Sequence, residues 1–243
     1  MKKKRGQITI FVIVAIFLVG VILIYFSYTG VIKQSLPPEA QGVYSFVREC
    51  VEKEAVKVIY EVGKNGGYFF PPNKSTDSGV AIYYENGKDY MPSKKQIEDE
   101  ISFFMNKKLF FCTKNFVDFT NLEITQGDIG TKTTIMEDEV ILDVDYPITI
   151  NNQGGATRIN DFRFNLPVRM GIIHDSINYI TQEQLSHESI CASCLLEISE
   201  KNDLYVEIMD YDENTMIFIF RDENSKINEV VFVWAFANKY KIE

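Results

Sequence analysis

Histidine, tryptophan and reactive-site motifs are scarce in this sequence. It has two histidines, His174 and His187, and one tryptophan among 243 residues. Neither histidine belongs to an HExxH pair. The run His174-Asp175-Ser176 is no triad either, because successive helical residues point about 100° apart. Both histidines read most simply as helix-surface or cap residues. There is no phosphate loop, dinucleotide fingerprint or nucleophile elbow. Internal repeats and low-complexity tracts are also missing. Basic charge is in deficit: 25 Lys and Arg stand against 34 Asp and Glu, a net −9. A chain of that balance lacks the basic face that nucleic acid requires as a partner. These absences leave an exported enzyme as a distant third reading, with no catalytic, metal or cofactor residues to name.

What is present begins with the first thirty residues. Four of the bases, Lys2, Lys3, Lys4 and Arg5, precede an uncharged run from Ile8 to Phe26 whose only aliphatic hydroxyl is Thr9. As a helix, these 19 residues span about 28 Å, close to the hydrocarbon thickness of a bilayer. A soluble helix would show a polar stripe, and this run has none. The cations before the span, with only Lys33 soon after it, predict a cytoplasmic N-terminus and an extracellular remainder. Tyr25 and Tyr28 fall at the outer headgroup layer. No second span follows, so the reading is a single-pass cell-membrane protein. A conventional secretory signal fits poorly, since "SYTGVIKQSLPPEAQG" offers no small-x-small cleavage site.

The junction "KKKRG" followed by "QITIF" resembles the class III signals of archaeal type IV pilin-like proteins. The resemblance is confined to the leader and the apolar helix. It implies that a prepilin-type peptidase cuts between Gly6 and Gln7 on the cytoplasmic side. The apolar helix would then remain and could pack beside other pilin-like subunits in a filament core. Phe11 stands at the fifth mature position, where many members of the family carry Glu. Two readings therefore stay open: a pilin-like or minor filament-associated surface protein, and an uncut signal-anchored protein whose ectodomain binds or adheres.

Hydrophobic residues make up 46% of the chain and aromatics 13%, enough for a substantial core. After Pro37 and Pro38, residues 39–63 read as an amphipathic helix. Val43, Phe46, Val47, Cys50, Val51, Ala55, Val58, Ile59 and Val62 lie on one side; Arg48, Glu49, Glu52, Lys53, Lys57 and Glu61 lie on the other. Asn86-Gly87 marks a hairpin. Ser93 and Gln96 have capping-box spacing before a further helix, whose expected inner side is Ile97, Ile101, Phe104, Met105 and Cys112. From Leu122 the period becomes two, predicting strands at "LEITQGD", "TKTTIME" and "EVILDVDYPITI". A helix follows with Met170, Ile173, Ile177 and Ile180 inward. A short helix near Cys194 precedes three last strands. The final one, "EVVFVWAFA", is apolar on both sides, so it is either central or faces a partner. Helices and antiparallel strands in separate blocks predict an α+β fold. The expected organisation is a leader and transmembrane helix over 1–33, a helical membrane-proximal region over 34–118, and a strand-rich distal region over 119–243.

Cys50, Cys112, Cys191 and Cys194 all follow the span, and an oxidising exterior favours disulfides. Of three possible pairings, Cys50–Cys112 with a local Cys191–Cys194 is favoured, because Cys50 and Cys112 fall on the apolar sides of two helices. A thioredoxin-like role for "CASC" would need a βαβ setting, and zinc would need a second close pair. "DYDENT" at 210–215 lacks the Gly and Glu of a calcium loop and reads as a polar turn. Asp143 and Asp145 share a strand face that reads as solvated. "GGYFFPP" reads as a ligand-stacking patch or as a buried or membrane-proximal aromatic turn. Asn73-Lys74-Ser75 is a glycosylation sequon.

Overall fold

The structure, a computed structural model, describes residues 17–19, 36–152, 155–187 and 190–240. Gly6, Gln7 and nearly all of the apolar run lie outside these residues. Phe17, Leu18 and Val19 are helical and exposed. Among the described residues no helix is long and apolar enough to cross a membrane. The chain divides into two compact units, Met1–Glu39 and Ala40–Glu243.

The second unit is α+β. Helix α1 (Pro38–Lys64) opens with Pro38 and Glu39 and closes on Lys64, which suits the helix dipole. Its buried stripe is the one that its periodicity predicts, from Val43 to Val62, except for Phe46, which is half-buried at the flank against Phe116 and Phe119. Gly66 and Gly67, at φ 66° and 88°, end it. A hairpin of β1 (Ile82–Glu85) and β2 (Lys88–Asp89) turns at Asn86-Gly87, both with positive φ. Helix α2 (Lys94–Thr113) begins with the reciprocal Ser93–Gln96 capping box. It buries Ile97, Ile101, Met105, Leu109 and Thr113. Phe104 and Cys112 are not in that inner stripe; both are half-buried at its flanks, Phe104 stacked on Phe69 at 4.2 Å and Cys112 bridged to Cys50. Lys114, Asn115 and Phe116 then form a left-handed turn, with φ of 47°, 53° and 58°. Such geometry costs non-glycine residues about 1 kcal/mol each.

One sheet is antiparallel. Its long central strand β5 (Val140–Asn152) pairs along one edge with β3 (Glu123–Gln126) and β4 (Gly130–Ile135), and along the other with β6 (Gly155–Leu166). The β6 strand is an addition to what the sequence pattern predicts. The outer edge of β4 does not stay bare: Thr133 N–H donates to Ser102 Oγ and Ile135 N–H to Glu98 Oε1, both at 3.0 Å. Side chains of α2 thus satisfy an edge that would otherwise invite pairing.

The other sheet has the order β2-β1-β9-β8-β7, with β7 (Tyr205–Asp210), β8 (Thr215–Ile227) and β9 (Val230–Lys239). It is mixed rather than wholly antiparallel, because β1 pairs in parallel with the end of β9. The two-faced apolar strand is therefore an inner strand. Where short β1 leaves the edge of β9 unpaired, α1 covers it. Tyr60 Oη donates to Val230 O at 2.5 Å. A Cβ on Gly63 would lie 2.6 Å from Val233 O, so only glycine allows this approach. Helix α3 (Met170–His187) buries Met170, Ile173, Ile177 and Ile180, and Gln184 Oε1 accepts from Asn238 Nδ2 of β9 at 2.6 Å. Helix α4 (Ala192–Asn202) leads into β7. Between β6 and α3, Arg169 forms a fork with the fully buried Asp222, which also accepts from Ser225 Oγ and Asn224 N–H. Removing Arg169 would leave the Asp222 carboxylate buried without its cation.

Candidate functional site

The structure closes two disulfides. Cys50–Cys112 has a Cα–Cα distance of 5.8 Å and ties the middle of α1 to the last turn of α2. A recess of about 290 Å³ opens beside it, between Phe46, Lys53, Lys114 and Asp118. Cys191–Cys194 spans 5.2 Å between Cα atoms at the start of α4, where Cys191 Sγ accepts from Cys194 N–H at 3.2 Å. The processing residues Gly6 and Gln7 lie outside the described residues.

The polar residues that the sequence singles out are held by neighbours. His174 is buried rather than on the helix surface, because the inner face of α3 is wide enough to include it. Its Nε2 lies 3.1 Å from Pro92 O, the place for a donated N–H. His187 is exposed in the last turn of α3. Asp143 faces Arg163 across the β5–β6 ladder at 3.7 Å, on a solvated sheet face. Asp212 accepts from Asn214 N–H at 2.9 Å in the β7–β8 turn, and that bond holds its carboxyl below the usual range. Asn73 of the sequon is exposed. Among the described residues no three or more His, Cys, Asp or Glu side chains are grouped to hold a metal ion.

Two larger cavities also lie among the described residues. The first, about 500 Å³, lies between α3 and α4 and is lined by Glu137, Asp175, Tyr179, Glu197 and Lys201, among others. Two of its polar groups are engaged: Asp175 with Lys94 at 2.7 Å, and Ser176 Oγ with Ile172 O and Asn202 Nδ2. Glu197 beside it, then burial, raises the Tyr179 phenol. The second is a groove of about 780 Å³. Phe110 and Phe111 of α2 form one wall, and Gln126–Ile129 with Tyr146 form the other. At its base Tyr146 donates to Gln126, and burial keeps the Tyr146 phenol above its ordinary pKa. Asn106 Oδ1 is buried at the groove and has no hydrogen-bond partner among the described residues.

The groove continues into an exposed aromatic stripe. Phe103 is 50% exposed, Phe110 51% and Phe111 70%; Phe70, on the turn beside them, is 65% exposed. Positions 103, 107, 110 and 111 recur at the spacing of one helix face. Lys107 Nζ sits 4.1 Å from the Phe103 ring centre and Lys108 Nζ 5.1 Å from that of Phe69, within cation–π range. The aromatic turn of the sequence is thus half packed, through Phe69 on Phe104, and half exposed, through Phe70. This surface brings together the phenylalanine rings, the Lys107 ammonium, the Asn106 and Gln126 carboxamides, the Asp128 carboxylate and the Tyr146 phenol. The sequence carries its signal in "FFMNKKLFF", where apolar residues fill the helix face opposite the core as well as the core face.

No protein-family model, curated protein or solved structure matches this chain.

Proposed function

We propose that this chain is a single-pass, pilin-like surface protein. A prepilin-type peptidase cuts it after Gly6, the apolar helix over 8–26 holds it in the membrane, and its head stands outside the cell. Through that helix it joins other pilin-like subunits, as a minor component rather than as the bulk of a filament. The observation that carries this reading is the leader, a cationic "KKKRG" set directly before a bilayer-length uncharged run. The two disulfides support an oxidising exterior. The role is structural or adhesive, not catalytic.

A second reading keeps the anchor uncut and makes the head a binding module. The open groove beside Phe110 and Phe111 favours it, as does Phe11 in place of Glu. N-terminal mass determination on protein from its own host's membranes separates the two. A start at Gln7, with the protein recovered in sheared extracellular filaments, supports the pilin-like role. A start at Met1 or Lys2, with all protein retained by the membrane, overturns it and leaves the binding module.

A further inference from the structure

We propose that the exposed stripe of α2, with the Phe70 turn beside it, is a lipid-contact surface that rests on the outer leaflet of the membrane holding the anchor; this rests on the anchored reading above. Three observations lead there. The first is composition. From Ile101 to Val117 there is no Asp or Glu, in a chain that has 34 of them, while Lys107, Lys108 and Lys114 are present. None of these three lysines makes an ion pair among the described residues. Lys114 shares its recess with Glu49, Glu54 and Asp118; Lys107 and Lys108, with Asp128 across the groove, form a cationic patch complementary to anionic headgroups.

The second is side-chain type. Phe70, Phe103, Phe110 and Phe111 have no polar atom, so exposure to water gives them nothing, and insertion at the acyl boundary removes that exposure. Lysines interleaved with phenylalanines on one helix face are the pattern of an interfacial helix. The earlier half of the same helix is different: its exposed positions are Lys95, Gln96 and Asp99, with Lys95 paired to Asp99.

The third is chain connection. The Cys50–Cys112 bridge fastens the Phe110–Phe111 end of α2 to the middle of α1. Phe119 packs on Phe46, and Phe116 lies beside both. The stripe therefore runs beside the second half of α1, from the turn at Phe69 and Phe70 back to Cys50, which is about 18 Å along the helix from Pro38. Eleven residues, 27–37, separate the apolar run from Pro38. Such a connection reaches roughly 40 Å when extended, ample for the stripe to meet the bilayer.

The test uses the full-length chain in vesicles of phosphatidylcholine with a minor share of phosphatidylglycerol. Trp234, the one native tryptophan, is fully buried and supplies a constant background. Phe111→Trp and, separately, Phe103→Trp place a reporter in the stripe; Tyr205→Trp places one on the exposed edge strand β7. With bromine-labelled acyl chains, the stripe reporters should be blue-shifted and at least half quenched, and the Tyr205→Trp reporter unchanged. Adding Lys107→Glu and Lys108→Glu should reduce the stripe quenching several-fold, as should raised salt. If the chain floats with the vesicles while both stripe reporters keep the emission of exposed indole, the lipid contact is wrong and the anchor stands. A blue shift without bromine quenching would put a protein, such as a second copy, on the stripe, and would overturn lipid as its partner. If the chain does not float at all, the anchored reading fails and takes this inference with it.

Discussion

Helices α1 and α2 are bridged to each other and bury similar aliphatic stripes, yet their outer faces have opposite characters. On α1 the outer face carries Arg48, Glu49, Glu52, Lys53, Lys57 and Glu61, with Arg48 and Glu52 paired at 2.9 Å. On the second half of α2 the corresponding positions are Phe103, Lys107, Phe110 and Phe111. The inner stripes account for both helices, since the core holds each one through burial of apolar area. The outer faces are free of that duty. A charged one keeps the head soluble; a phenylalanine one brings no advantage in water and so points to a different neighbour.

The largest effect should come from cutting the link between the two helices. The Cys50–Cys112 bridge closes a 62-residue loop, for which the chain-entropy model gives about 4 kcal/mol. Cys50→Ala with Cys112→Ala should lower the urea midpoint accordingly. A loss under about 1 kcal/mol would mean that burial alone couples the helices. Next comes the inner side of α1. Gly63→Ala places a methyl group 2.6 Å from Val233 O and 2.7 Å from the Phe232 ring. Overpacking of this kind costs about 1–3 kcal/mol. Equilibrium unfolding should show that loss, and an unchanged midpoint would mean that α1 stands off β9.

The inner faces were the legible part. Valines, isoleucines and leucines three and four apart announce α1 and α3, and Ser93 with Gln96 announces the start of α2. The Cys50–Cys112 pairing follows from two cysteines on apolar faces. The α+β class follows from the change of period at Leu122. Strand β6 was hidden by a bulge. Between Asp145 and Ile148 the β5 strand carries one more residue than its partner, which takes Asp161 and Ile159 opposite them. The inward residues Ile159 and Phe162 therefore differ in parity, and the alternation that marks a strand is broken. The parallel pairing of β1 with β9 joins Ile82 to Ala237 and has no local signature. Similarly, nothing local places His174 against Pro92 O. The groove was legible only in hindsight of the helix: "FFMNKKLFF" states which residues are apolar, but the cap and the core stripe decide which of them stay outside.

The outer faces give the smaller effects. Phe103→Ser, Phe110→Ser and Phe111→Ser together should change the stability of the head by no more than about 1 kcal/mol, as exposed positions do. The same variant should lose contact with lipid. A loss of several kcal/mol would place these rings in the core and remove the contrast between the helices.

The smallest effect belongs to α1. Arg48 and Glu52 are four residues apart on a solvated face, with side chains 65% and 40% exposed. Water screens their attraction, and holding two long side chains together costs entropy, so the pair should contribute only about 0.3–0.5 kcal/mol. Arg48→Ala, Glu52→Ala and the double variant form a cycle that isolates this coupling. It should shrink in high salt, and the double variant should leave the association of the full chain with vesicles unchanged. That last result matters most for the comparison. If removing charge from α1 altered lipid contact as much as removing phenylalanine from α2, membrane affinity would belong to the net charge of the head. The stripe would then be one exposed patch among several rather than the surface that meets the bilayer.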